Sequence, residues 1–345
     1  FEVLNCYFPS VVELYSKFIL QHLEYLSRDA QVAHLMHLFD TYLKENAKHL
    51  SQQEKNQLLS FLKDSPVISD SQGVLHRASH FYDPDVPLFC TMVDQDRLAP
   101  TGAKCDRGRW LSMLRMIGLI QEVNPEMCVE FATQIVHEFR REQAKRKSKA
   151  LIKHLFSLRK EKEDREEILK QICVIPFITA ERVEKELSDL HTQYGDIGNG
   201  IPYISFKGSY PPSYTDVIWT SASVLPNWAN PFEVTDREET DKGEKFAELL
   251  GVEKMPPLEL VAHNLKNICF YCCNRQGFDG ATLKRVCKNS YDFLQKHGFE
   301  EGEDGELQDS LKDMMEDVPC IAVGSPENFA HPYQTAIDML DEDEI

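Results

Sequence analysis

Long apolar runs are missing from this chain of 345 residues. None approaches the ~18 residues that a membrane-crossing helix requires, so membrane insertion is not expected. N-x-S/T sequons are absent, and no signal-peptide pattern opens the sequence. The 10 cysteines lack the regular spacing of a small disulfide framework. Together these absences point to a reduced, cytoplasmic setting. Phosphate-loop, nucleophile-elbow and Rossmann signatures are absent too, which removes the commonest nucleotide and hydrolase chemistries.

Basic residues are also scarce: 38 Lys and Arg stand against 56 Asp and Glu, giving a net charge of −18. The imbalance is concentrated. Residues 301–345 hold 14 acidic residues and a single basic one, Lys312. That composition reads as a solvated acidic linker and tail. The opposite pole is Arg140 to Lys160, with nine Lys/Arg against one acid, Glu142. Leu151, Ile152, Leu155, Phe156 and Leu158 interleave with it, so it reads as a helix with a basic solvent face. The acidic run Glu161 to Glu167 follows directly and argues against a phosphate-binding strip. No nucleic-acid partner is expected.

What the chain does contain is repetition. Pro66-Val67-Ile68, Pro176-Phe177-Ile178 and Pro319-Cys320-Ile321 each follow a helix-like stretch and open a short apolar strand. The Pro66–Pro176 and Pro176–Pro319 intervals are 110 and 143 residues. Those are domain-sized periods, not the ~20–50 residues of a solenoid. A second element also recurs. Trp110-Leu111 to Ile117-Gly118-Leu119 and Phe246-Ala247 to Leu250-Gly251-Val252 both lead into amphipathic helices, with Trp110 and Phe246 expected to be their buried anchors.

Helix starts are marked by Ser10 with Glu13, Ser51 with Glu54, and Asn124-Pro125-Glu126. A further helix is predicted from Pro256-Pro257 through Cys272. Strand signals are short: Val67-Ile68, Cys173 to Thr179, Tyr203 to Phe206, Val217 to Thr220, and Cys320 to Val323. The pattern predicts a predominantly helical α+β chain of tandem divergent repeats with small mixed or antiparallel sheets. The expected division is a helical lead-in over 1–60, a first repeat over 61–160, and a second over 161–300. An acidic linker and the start of a third repeat follow over 301–345. A third repeat that stops soon after it starts suggests a piece of a longer protein.

Candidate sites are few. Asp196-Ile197-Gly198-Asn199-Gly200 matches D-x-G-x-G, the adenine-reading turn of GHKL-type ATPases. That fold also needs an upstream Mg-binding Asn and a downstream glycine-rich lid, and the flanking sequence supplies neither. A cryptic ATP-binding module around Asp196, Gly198 and Gly200 is therefore the alternative, not the main reading. His137-Glu138-Phe139-Arg140-Arg141 opens like a zinc motif, but Arg141 replaces the second His. Cys269, Cys272 and Cys273 fall on a helical apolar stripe and read as reduced, metal-free thiols. No catalytic, cofactor or metal residue is assigned.

The order of these elements resembles the sacsin family of very large chaperone-related proteins. The resemblance runs through Pro66-Val67-Ile68, Gly73-Val74-Leu75, Phe81-Tyr82-Asp83-Pro84, Trp110 to Leu119, Val217-Ile218-Trp219-Thr220, Leu249-Leu250-Gly251-Val252 and Val318-Pro319-Cys320-Ile321. It implies a segment between the GHKL-like modules of a giant co-chaperone for the seventy-kilodalton heat-shock system. Its partners would be protein clients and chaperone machinery. J-domain function does not carry over, because His331-Pro332 is followed by Tyr333 rather than Asp.

Overall fold

A computed structural model describes residues 9–44, 47, 49–100, 106–157, 166–179, 203–218, 223–229, 245–274, 280–297, 321–322 and 329–330. The chain divides into two compact units, Phe1–Asn124 and Pro125–Ile345.

The first unit opens with an irregular helix, α1, at Val11–Glu13. It widens into a π-helical stretch at Leu14–Ile19 and tightens into 3₁₀ geometry at Leu20–Tyr25. Its start is a complete capping box: Ser10 Oγ accepts the Glu13 N–H, and the Glu13 carboxylate accepts the Ser10 N–H. Helix α2 (Arg28–Leu38) is capped by Ser27 and runs on as a π-helical turn, Phe39–Leu43. Helix α3 (Gln52–Asp64) repeats the capping box with Ser51 and Glu54. Lys55 is buried on α3, and its ammonium donates to the Lys44 and Ala47 carbonyls at 3.3 and 2.7 Å. Those bonds satisfy the charge that burial would otherwise penalise.

Strands β1 (Ile68–Ser69) and β2 (Leu75–His76) form an antiparallel hairpin. Short helix α4 (Pro87–Met92) and helix α5 (Arg107–Met116) complete the unit. Leu23, Leu35, Leu58, Phe81, Trp110 and Leu114 meet in one core, all at most 2% exposed. Each such side chain contributes about 1.5–3 kcal/mol on burial.

In the second unit, α6 (Pro125–Val136) packs on α7 (Arg141–Ser157) and α8 (Glu166–Ile172). Strands β3 (Ile178–Thr179) and β4 (Tyr203–Ile204) form the second hairpin, and 245–249 is helical. Helices α9 (Leu258–Asn274) and α10 (Gly280–His297) then pack together. A third hairpin pairs β5 (Ile321–Ala322) with β6 (Phe329–Ala330).

The predominantly helical α+β class holds, and the three sheets found among the described residues are antiparallel. One strand expectation fails: 215–217 is a turn, not the start of a strand over Val217 to Thr220. The reason is local capture of a carbonyl. Asn264 Nδ2 on α9 and Ser290 Oγ on α10 both donate to Val217 O, at 3.0 and 3.3 Å. The strands expected over Cys173 to Thr179 and Tyr203 to Phe206 are shorter than the sequence suggested, at two residues each, and the one expected at Val67-Ile68 lies one residue later.

Candidate interaction surface

The repeat is visible in main-chain hydrogen bonds. In all three hairpins the first strand begins two residues after proline, at Ile68, Ile178 and Ile321. These isoleucines pair with His76, Ile204 and Ala330. Five residues past the His76 and Ile204 partners lie Phe81 and Ser209, whose N–H groups bond to the Ala78 and Phe206 carbonyls. The next residues, Tyr82 and Tyr210, each bridge a second segment in parallel fashion, Leu98 and Val224. The bonding is identical: Tyr82 N–H to Arg97 O with Ala99 N–H to Tyr82 O, and Tyr210 N–H to Ser223 O with Leu225 N–H to Tyr210 O. Each copy is closed by a glycine with positive φ, Gly118 at 108° and Gly251 at 83°. The residues that follow each glycine bond back to Leu114 O and Ala247 O. This is the left-handed helix end that glycine adopts without steric cost.

The glycines set the equivalence of the copies. Trp110 and Phe246 are both buried, at 2% and 7% exposure, as expected. They are not counterparts, however. The Ile117 N–H bonds to Met113 O as the Leu250 N–H bonds to Phe246 O, so Phe246 stands where the first copy has Met113.

The copies differ most at the third ladder segment. In the first, Ile120 donates to Phe81 O and accepts from the Asp83 N–H. In the second, Glu253 donates to Ser209 O, but the counterpart of Asp83 is Pro211, which has no N–H to return. Charge follows the same division. Asp83 is 2% exposed, and its carboxylate takes Arg115 Nε and Nη2 at 2.5 and 3.1 Å together with the Asp85 N–H at 2.9 Å. Arg115 also reaches Asp85 at 2.6 Å, and Arg107 reaches Asp85 at 2.9 Å. Burial pushes the Asp83 carboxyl up, but the Arg115 hydrogen bonds, the Asp85 N–H and the Arg115 and Arg107 charges outweigh it and hold it below the ordinary 3.8. Arg115 corresponds to Glu248, which pairs outward with Lys254.

Helix α7 carries the surface that the sequence singled out. Ala144, Ser148, Leu151, Ile152 and Leu155 are buried, while Arg146, Lys149 and Lys153 are exposed along one stripe. Lys147 is withdrawn to Glu138 at 2.8 Å. The Glu138 carboxyl is held below its ordinary value by the Lys147 hydrogen bond, against burial and with help from the Arg140 N–H and the Lys147 and Arg140 charges. Tyr203 on β4 donates to Glu138 O at 3.0 Å, and burial and the Glu138 charge push its phenol up to about 12. Phe139, just before the helix, is 80% exposed.

Two further surfaces lie in the first unit. Leu14, Phe18 and Tyr25 stand exposed along the π-helical and 3₁₀ stretches that follow α1. A slot no larger than one water lies among Arg28, Gln31, Ile68, Ser69 and Trp110. Gln31 donates to the Leu23 and Leu26 carbonyls, and among the described residues nothing donates to its Oε1. His76 Nε2 meets Asp70 at 2.9 Å, and its ring stacks on His80 at 4.1 Å.

The Asp196-Gly198-Gly200 motif lies outside the described residues, as do the side chains of Cys269, Cys272 and Cys273. Among the described residues no His, Cys, Asp and Glu group could hold a metal, and no helix is long and apolar enough to cross a membrane. The Asp83–Arg115 pair was missed from sequence. Its only signal is an Asp in a Tyr-Asp-Pro turn, matched by an Arg 32 residues later.

No family model matches the chain, and no solved structure matches it. The chain is 28% identical to human sacsin over an alignment of 326 residues that covers 85% of this chain and 7% of sacsin. It is thus sacsin-like across most of its length, as its motif order implied, and spans a small fraction of that relative.

Proposed function

We propose that this chain is a non-enzymatic scaffold and interaction segment of a giant sacsin-type co-chaperone in the cytoplasm. It would serve protein quality control by presenting docking surfaces to client proteins or to the seventy-kilodalton heat-shock machinery. The observation that carries this reading is the duplicated module. Two copies keep the hairpin, the tyrosine bridge and the glycine-ended helix while changing their charges. Constant frames with divergent surfaces suit several weak contacts made in series, because linked contacts gain from effective concentration. The similarity to human sacsin supports placing this role inside a much longer chain.

The test is affinity capture with the 345-residue chain as bait, with its heat-unfolded form as control. Chaperone components or a recurrent set of protein clients should be retained by the folded chain alone. Recovery that is equal from folded and unfolded bait, or of nucleic acid instead of protein, would remove the scaffold reading.

A further inference from the structure

We propose that the exposed face of α7 docks a short acidic polypeptide segment; this deepens the interaction reading by naming the chemistry of one partner. Among the described residues Arg146, Lys149 and Lys153 meet no acid, although the whole chain carries an excess of carboxylates. Helical spacing puts all three on one stripe spanning about 10 Å.

The helix start adds to the same potential. Negative side chains normally occupy a first turn, where the helix dipole is positive. Here Arg140 lies just before that end, and among the described residues Glu142 is the acid of the first turn. Glu138 is nearby, but its carboxylate already receives Lys147 and the Arg140 N–H. Positive potential at an already positive terminus is a local departure from what favours the helix, and such departures concentrate at functional positions.

The size of the face selects the partner. An extended peptide rises ~3.3 Å per residue, so a run of Asp or Glu could set carboxylates against all three cations. Nucleic acid fits less well. Affinity for a phosphate backbone grows with the number of phosphates neutralised, and three cations on a chain of net charge −18 neutralise few. Phe139, 80% exposed beside the first turn, gives the segment an apolar neighbour.

The experiment is fluorescence anisotropy on the full chain at ~20 mM and ~200 mM salt, with a labelled hexaglutamate peptide and a 12-nucleotide single-stranded DNA. The variant is Arg146→Glu/Lys149→Glu/Lys153→Glu. Its control is Lys17→Glu/Lys63→Glu/Lys254→Glu, which changes net charge equally at exposed positions elsewhere. Hexaglutamate should bind the parent at low salt, lose at least about tenfold in the α7 variant, and stay within about twofold in the control. A triple glutamine change at the α7 positions should act in the same direction, which covers misfolding of the reversed-charge form. Equal losses in both variants, tighter DNA binding at this face, or no peptide binding would each overturn the proposal. If peptide binding fails while protein capture by the folded chain persists, only this docking falls; if both fail, the scaffold reading falls with it.

Discussion

Asp83→Ala should open the first copy of the module and leave the second untouched. In the folded chain the Asp83 carboxylate takes both Arg115 donors and the Asp85 N–H at only 2% exposure. Removing one member of a buried pair typically costs about 3–5 kcal/mol, most of it from the abandoned charge. Two observations lower that figure. The Arg115 side chain is 32% exposed, and it keeps Asp85 at 2.6 Å. We therefore expect about 2–3 kcal/mol, which is roughly 30- to 150-fold faster exchange of protected amides if they open with this unit. Native-state hydrogen exchange reads this directly on the Tyr82, Ala99 and Ile120 amides, with Tyr210, Leu225 and Glu253 as internal controls. The Asp83 carboxyl lies below its ordinary value in the folded state. Its stabilisation is thus present above about pH 4 and lost as pH falls through the lower folded value, so the gap between parent and variant should narrow in acid. Equal acceleration in both copies, or a change under about 0.5 kcal/mol, would refute the assignment of Asp83 as a buried anchor.

Other expectations concern conformation, packing and pH. Gly251→Ala should lower the melting temperature more than Gly118→Ala: both have positive φ, but a Cβ at 251 meets Lys207 Cα at 3.3 Å while one at 118 meets nothing within 4 Å. Each should cost at least about 1 kcal/mol by thermal unfolding, and equal effects would deny the close approach at 251. Phe206→Ala removes a side chain 1% exposed and stacked edge-on to Phe177 at 5.7 Å, so chemical denaturation should show a loss of about 3–5 kcal/mol. Burial, the Arg97 charge and the His76 charge push His80 below its ordinary 6.5, so the unfolded state binds more protons as pH drops through that value. The first unit should accordingly lose stability between about pH 7.5 and pH 5.5, and His80→Gln should flatten that loss.

Local rules were readable in advance and distant pairings were not. Ser10 with Glu13 and Ser51 with Glu54 form the boxes their spacing announces, because a cap depends on four consecutive residues. The three prolines marked the hairpins for a similar reason. A proline cannot continue the preceding helix, so the strand must start after it. The tyrosine bridges were hidden because each is a single residue paired across 16 or 14 positions, too brief for a periodic signal. The match of Trp110 with Phe246 failed because aromatic bulk was weighed above the glycine that sets the helix end. Val217 looked β-branched enough for a strand, but two side-chain donors on α9 and α10 claim its carbonyl. The α7 surface was legible as composition. Which of its cations stay unpaired required coordinates, since Lys147 is withdrawn by Glu138.

Mg-ATP added during thermal unfolding separates an interaction segment from a nucleotide-driven module. The scaffold reading predicts no change in melting temperature for the parent chain or for Asp196→Asn. A saturating ligand at ~100 times its Kd would add about 2.7 kcal/mol, well above the noise of the assay. A rise in the parent that Asp196→Asn abolishes would contradict the scaffold reading and establish ATP binding around Asp196, Gly198 and Gly200.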